Sequence, residues 1–242
     1  MNRRRSPGWF VASSLAFCAA SAAFAYPLAP GVLIPGPKGT TEEIEPQLAG
    51  TVVQDVTTPF SYEGWFRDSS IEDGELTGSV TGTVQSRVVL GSDDTYDFYW
   101  RITVDADSFL PVLNMRLTGL VPDTYNANFR LDGPGTVQPA FVAQGFHGDV
   151  TWAFGEYIAP STQVFPGLES RFLFLDSDAR AYAPVASFAL ESGRDTGGSM
   201  MIQWGGESGA YATFGPTPVP EPSSGWLALC ALGALALRRV SA

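Results

Sequence analysis

The feature that most constrains this chain is a strict alternation of apolar and polar residues through its middle. In Asp97–Asp105, Phe98, Trp100, Ile102 and Val104 alternate with Asp97, Tyr99, Arg101, Thr103 and Asp105. In Ser79–Leu90, Val80, Val84, Val88 and Leu90 share one face, with Thr81, Thr83, Gln85 and Arg87 on the other. Successive side chains of a strand point to opposite faces, so a period of two predicts strands with one face in a core. Leu113, Met115 and Leu117 repeat the pattern, as do Val150, Trp152 and Phe154. Arg171–Leu175, Val185–Leu190, Met200–Trp204 and Tyr211–Phe214 are shorter candidates.

Turn-forming residues punctuate these runs: Gly91-Ser92-Asp93-Asp94, Val121-Pro122-Asp123, Asp132-Gly133-Pro134-Gly135, Gly145 to Gly148 and Gly193 to Gly198. No window of a dozen residues in the body has a 3.6-residue period. Short strands between turns predict an all-β fold, a single antiparallel β-sandwich over residues 51–215, with a jelly roll or open barrel as variants. Val84, Phe98, Trp100, Ile102, Trp152 and Phe154 are its expected core. Residues 26–50 carry Pro27, Pro30, Pro35, Pro37 and Pro46 with Glu42, Glu43 and Glu45, the composition of an extended, solvated leader. Gly205, Gly206, Gly209 and Gly215-Pro216-Thr217-Pro218 read as a stalk.

Both ends of the chain differ in composition from this body. Arg3-Arg4-Arg5, the apolar run Trp9–Ala20 and the small-x-small triplet Ala23-Phe24-Ala25 have the three parts of a secretory signal, with cleavage expected after Ala25. Residues 1–25 are therefore expected to be removed by signal peptidase. At the other end, Val219-Pro220-Glu221-Pro222 precedes the uncharged run Trp226–Leu237, then Arg238-Arg239. That run is about 18 Å of helix, short against a hydrocarbon core of about 30 Å. Basic residues beside a membrane segment stay cytoplasmic, so Arg238 and Arg239 place the body outside.

This order resembles the PEP-CTERM sorting signal of bacterial surface proteins. Val219, Pro220, Glu221 and Pro222 match its motif, residues 223–237 its helix and Arg238-Arg239 its basic tail, together setting off 216–242 as a sorting segment. The resemblance implies an exported protein recognised by a membrane transpeptidase, the exosortase, and held at the cell envelope until processed. It also implies the company of exopolysaccharide, and no particular activity for the body. The central stretch resembles ectodomains of that group through Asp97–Val104, a Tyr125-Asn126 turn, Val150–Phe154 with Ile158-Ala159-Pro160, and Asp176-Ser177-Asp178-Ala179 before Tyr182.

Cysteine and charge narrow the function classes. The two cysteines, Cys18 and Cys230, lie in the end segments, so the body has no disulfide and no thiol nucleophile. Five of the 14 basic residues but only one of the 25 acidic residues lie in the ends, leaving the body nine basic against 24 acidic residues, a net −15. Such a surface repels nucleic-acid phosphates, which sets nucleic-acid binding aside.

No catalytic constellation is recognisable. The single histidine, His147, sits among glycines, and nucleophile elbows, zinc-binding helices and phosphate loops are missing. The expected function is a non-catalytic surface or matrix protein. The alternative is a carbohydrate-binding or carbohydrate-active module, a hydrolase or lyase using two carboxylates. No cofactor is called for. Calcium, which takes several hard oxygens, would find them at Asp105, Asp107, Asp176 and Asp178, with Asp93-Asp94 in a turn. Trp100 and Trp152 share apolar faces and read as core, whereas Trp65, Tyr99 and Tyr125 are the candidates for stacking on sugar.

Overall fold

A computed structural model describes residues 26–68, 74–120, 125–155, 163–193 and 202–218. The signal segment, including Ala23 and Ala25, and the tail with Val219, Pro220, Glu221, Pro222, Arg238 and Arg239 lie outside the described residues, as does Ile158-Ala159-Pro160.

The chain is all-β. Its strands are β1 (Tyr26–Pro27), β2 (Leu33–Pro35), β3 (Gly50–Asp68), β4 (Glu75–Gly91), β5 (Tyr96–Val104), β6 (Asn114–Thr118) and β7 (Tyr125–Phe129). They continue as β8 (Phe141–Gln144), β9 (Val150–Ala153), β10 (Leu173–Ser177), β11 (Tyr182–Gly193), β12 (Ile202–Glu207) and β13 (Tyr211–Pro216). Among the described residues the one helical element is a 3-10 turn at Pro46–Leu48. The pairing between strands is antiparallel and follows one path, β1-β7-β10-β5-β4-β3-β12-β11-β6-β9-β8-β2, with β13 beside β11. The strands form a nearly closed, barrel-like sheet. The expected division into two separate sheets is not what the hydrogen bonds give, because β12 pairs with β3 on one side and β11 on the other.

Alternation does what the pattern predicts. Val80, Val84 and Val88 of β4 and Phe98, Trp100, Ile102 and Val104 of β5 point into one core, which Trp152 and Phe154 enter from the other half. The rings of Trp100 and Trp152 meet at 5.8 Å, tying the halves together. Trp100 satisfies its ring N–H on Thr213 at 2.9 Å, and Thr213 continues to Ser86 at 3.1 Å. A buried indole donor keeps a partner in this way. All six expected core residues are buried.

The leader is packed, which corrects its reading as solvated chain. Tyr26 and Pro27 pair with β7 at one end of the strand path, while Leu33–Pro35 pair with β8 at the other. Residues 26–35 therefore clasp the two open edges of the barrel. Gly31 N–H donates to the Gln144 carbonyl at 2.8 Å and Leu28 N–H to that of Tyr125 at 2.9 Å. Leu28 and Ile34 are buried. Prolines here terminate edge pairing instead of preventing packing, the one place in a sheet where they are tolerated.

The stalk reading is corrected too. Gly205 and Gly206 belong to β12, and Gly215 and Pro216 to β13. A side chain on Gly205 would collide with the Trp65 indole, so glycine serves close packing here. Tyr125-Asn126 lies in a strand, not a turn. The Gly91–Asp94 turn forms as expected, with the Asp93 carboxylate accepting from the Thr95 N–H and hydroxyl, the latter at 2.6 Å.

Candidate functional site

Two features on the outer face of β4, β5, β10 and β7 hold most of the unusual chemistry. The first is a cleft. Arg87, Tyr99 and Phe174 come into line across strands because Arg87 pairs with Tyr99 and Tyr99 with Phe174. Leu48, delivered by the 3-10 turn, joins Val89, Tyr99, Phe172 and Phe174 in a small apolar cluster outside the barrel. Beside that cluster opens a cleft of about 290 Å³, lined by Leu48, Tyr99, Phe172, Arg87, Arg130 and Asp132 together with Glu42.

Its polar groups form paired forks. Arg130 donates through Nε to one Asp132 oxygen at 2.7 Å and through a terminal nitrogen to the other at 2.8 Å. A further Arg130 N–H donates to the Leu48 carbonyl at 3.2 Å, and Glu42 N–H donates to Asp132 at 2.8 Å. Arg87 donates to a single Asp55 oxygen, through Nε at 3.1 Å and a terminal nitrogen at 2.7 Å, while the Gln85 amide nitrogen donates to the other oxygen at 2.8 Å. Arg101 pairs with Glu169 at 2.9 Å. The guanidiniums of Arg87 and Arg101 lie 4.8 and 5.4 Å from the Phe172 ring centre, so that ring is covered by cations. Burial opposes the charge on Arg130, but the bonds to Asp132 outweigh it and hold the guanidinium charged above its ordinary range. Those same bonds hold the Asp132 carboxyl below its usual range.

Several buried polar atoms on this face make no well-formed hydrogen bond: the Tyr99 hydroxyl, Gln85 Oε1 and Arg101 Nε. Tyr99 is 3% exposed. Burial pushes its ionisation well up, and the neighbouring Asp97 charge adds to this while Arg130 opposes it.

The second feature is a carboxyl pair. Asp97 on β5 and Asp176 on β10 interact across adjacent strands, each raising the other's cost of ionising or sharing its proton, and Asp97 accepts from Ser177 N–H at 3.4 Å. Asn126 donates to Asp176 at 3.3 Å. Asp97 is 2% exposed. Burial first, then the charge of Asp176, push its pKa up to about 8. Asp176 is raised for the same leading reason. At neutral pH the pair shares a proton, as close carboxylates do.

The calcium candidates are divided by this geometry. Asp176 and Asp178 lie near the start of β5, whereas Asp105 and Asp107 follow its far end, about 26 Å of strand away. Among the described residues no group of three or more acidic, histidine or cysteine side chains is placed to hold a metal. His147 is exposed in the turn between β8 and β9, as its glycine neighbours predict. Of the sugar-stacking candidates, Tyr99 and Tyr125 are buried and present no open ring, while Trp65 is half-buried beneath Arg67 at 5.8 Å. Sequence reasoning passed over Arg87, Arg130, Asp132 and Glu42. The available signal was the scarcity of cations in the body, with Arg87 and Arg101 both at outward positions of adjacent strands.

The chain matches no known family pattern, no curated protein and no solved structure.

Proposed function

We propose that this is an exported protein of the cell envelope, displayed among exopolysaccharide, whose folded body is non-catalytic. The observation that carries this reading is the ordered tail: Pro220-Glu221-Pro222, a short apolar run and Arg238-Arg239. The body supports it on physical grounds. Its core needs no disulfide, and its acidic surface suits a soluble domain outside the membrane. Among the described residues no helix is long and apolar enough to cross a membrane. In this reading signal peptidase frees Tyr26, which starts the clasp, and exosortase acts on the tail just beyond Pro218.

The competing class is a two-carboxylate glycan hydrolase or lyase. Its most closely coupled carboxyl pair would be Asp97 and Asp176, and Asp97 is buried with its proton shared, a poor position for meeting substrate. Incubating the full chain with envelope polysaccharide tests the choice. No new reducing ends is the expected result. Reducing ends that disappear on a single Asp or Glu substitution would make the protein an enzyme.

A further inference from the structure

The body carries nine basic residues against 24 acidic ones, yet Arg87, Arg101 and Arg130 gather on one outer face, with Arg171 anchored there through the Leu131 carbonyl at 2.9 Å. Arg87, Arg101 and Arg130 each meet a carboxylate. The result is a locally neutral patch of alternating N–H donors and carboxylate acceptors within a strongly negative protein. The Arg130–Asp132 pair lines the 290 Å³ cleft, with Glu42 overhanging it, and Arg87 reaches the same cleft from its contact with Asp55 outside the lining.

We propose that this cleft binds a neutral sugar unit through vicinal hydroxyls, with the Arg87 and Arg130 guanidiniums donating and the Asp132 and Glu42 carboxylates accepting. The proposal deepens the surface-display reading and rests on it for the source of the sugar. Three considerations select this ligand class. First, an anionic ligand would have to displace Asp132 from its bidentate pair with Arg130 or Asp55 from Arg87, and approach a body of net −15. A diol displaces neither, because each hydroxyl both accepts from a guanidinium and donates to a carboxylate. Second, the cleft volume is at the small end of ligand sites, fitting one unit of a glycan and not a long segment. Third, the buried Tyr99 hydroxyl, which belongs to a residue lining the cleft, has only a poorly aligned approach to Arg130 and makes no well-formed hydrogen bond. Groups of that kind are uncommon in folded proteins and concentrate where polar function outranks stability. The forks are held from beneath as well: Phe172 supports two guanidiniums and Leu48 O a third, so the donors are fixed before any ligand arrives.

The test is saturation-transfer NMR on the full chain with methyl glucoside, galactoside, mannoside and N-acetylglucosaminide, beside methyl glucuronoside and inorganic phosphate. At least one neutral hexoside should bind and both anions should fail. Arg87→Lys keeps the charge but loses the planar fork, and should weaken binding roughly tenfold with the melting temperature little changed. Glu42→Gln, on an exposed side chain, should weaken it about two- to threefold and serves if Arg87→Lys disturbs folding. The proposal is overturned if no neutral hexoside binds, if glucuronoside or phosphate binds more tightly, or if both variants bind like the parent. Such a failure in protein that is still recovered processed from the cell surface would leave the display reading standing.

Discussion

At the scale of single residues, Asp97 shows how burial converts a charge into a pH response. Its pKa is pushed up to about 8 in the folded chain, against about 3.9 when unfolded. Between those values the folded state holds a proton that the unfolded state has released. Folding stability should therefore decline as pH rises from about 4 to about 8, by up to about 1.4 kcal/mol per unit. The raised Asp176 acts in the same direction. Asp97→Asn keeps the shape and a donor for Asp176 while removing the titration. Urea unfolding at pH 5 and pH 8 should show a much smaller difference for Asp97→Asn, which should be the more stable protein at pH 8. An unchanged pH dependence would place the sensitivity elsewhere.

At the scale of elements, the strands of the barrel owe their order to alternation, but closure depends on the N-terminal clasp. Without residues 26–35, β7 and β8 would present unpaired edges, a known route to aggregation. A chain lacking residues 26–35 should lose amide-exchange protection in Tyr125–Phe129 and Phe141–Gln144 while β4 and β5 keep theirs. Full protection of β7 and β8 would show that the clasp is dispensable. The clasp also marks where the sequence was silent. Two or three paired residues leave no measurable period, and the prolines that end these strands are the usual sign of solvated chain. β4 and β5 were legible because nine or more residues alternate against one core. β3 was not, because residues 51–59 are exposed on both faces and give no contrast between sides. Tyr99 teaches a related point. Its position on the polar face was legible, but alternation says only that a strand has two faces. The wet side was decided by Leu48, about 50 residues earlier, folding over the sheet.

At the scale of the whole molecule, the candidate cleft was invisible in sequence because its parts come from five separated stretches and become a site only through register. Arg87 meets Tyr99 by strand pairing, and Arg130 meets Asp132 around a turn. The tail had the opposite character: its motif is contiguous in sequence and legible without any fold. Under the proposed function the barrel is the displayed part and the tail its means of retention. Tyr26 is both the expected first residue after export and the first residue of the clasp. Pro216 closes β13, so the proposed sorting motif follows the barrel within a few residues of sequence. The most direct measurement is the intact mass of the protein recovered from the cell surface. The account predicts a chain beginning at Tyr26 and ending near Pro220–Pro222. A mass that runs from Met1, or one that extends through Ala242, would contradict it.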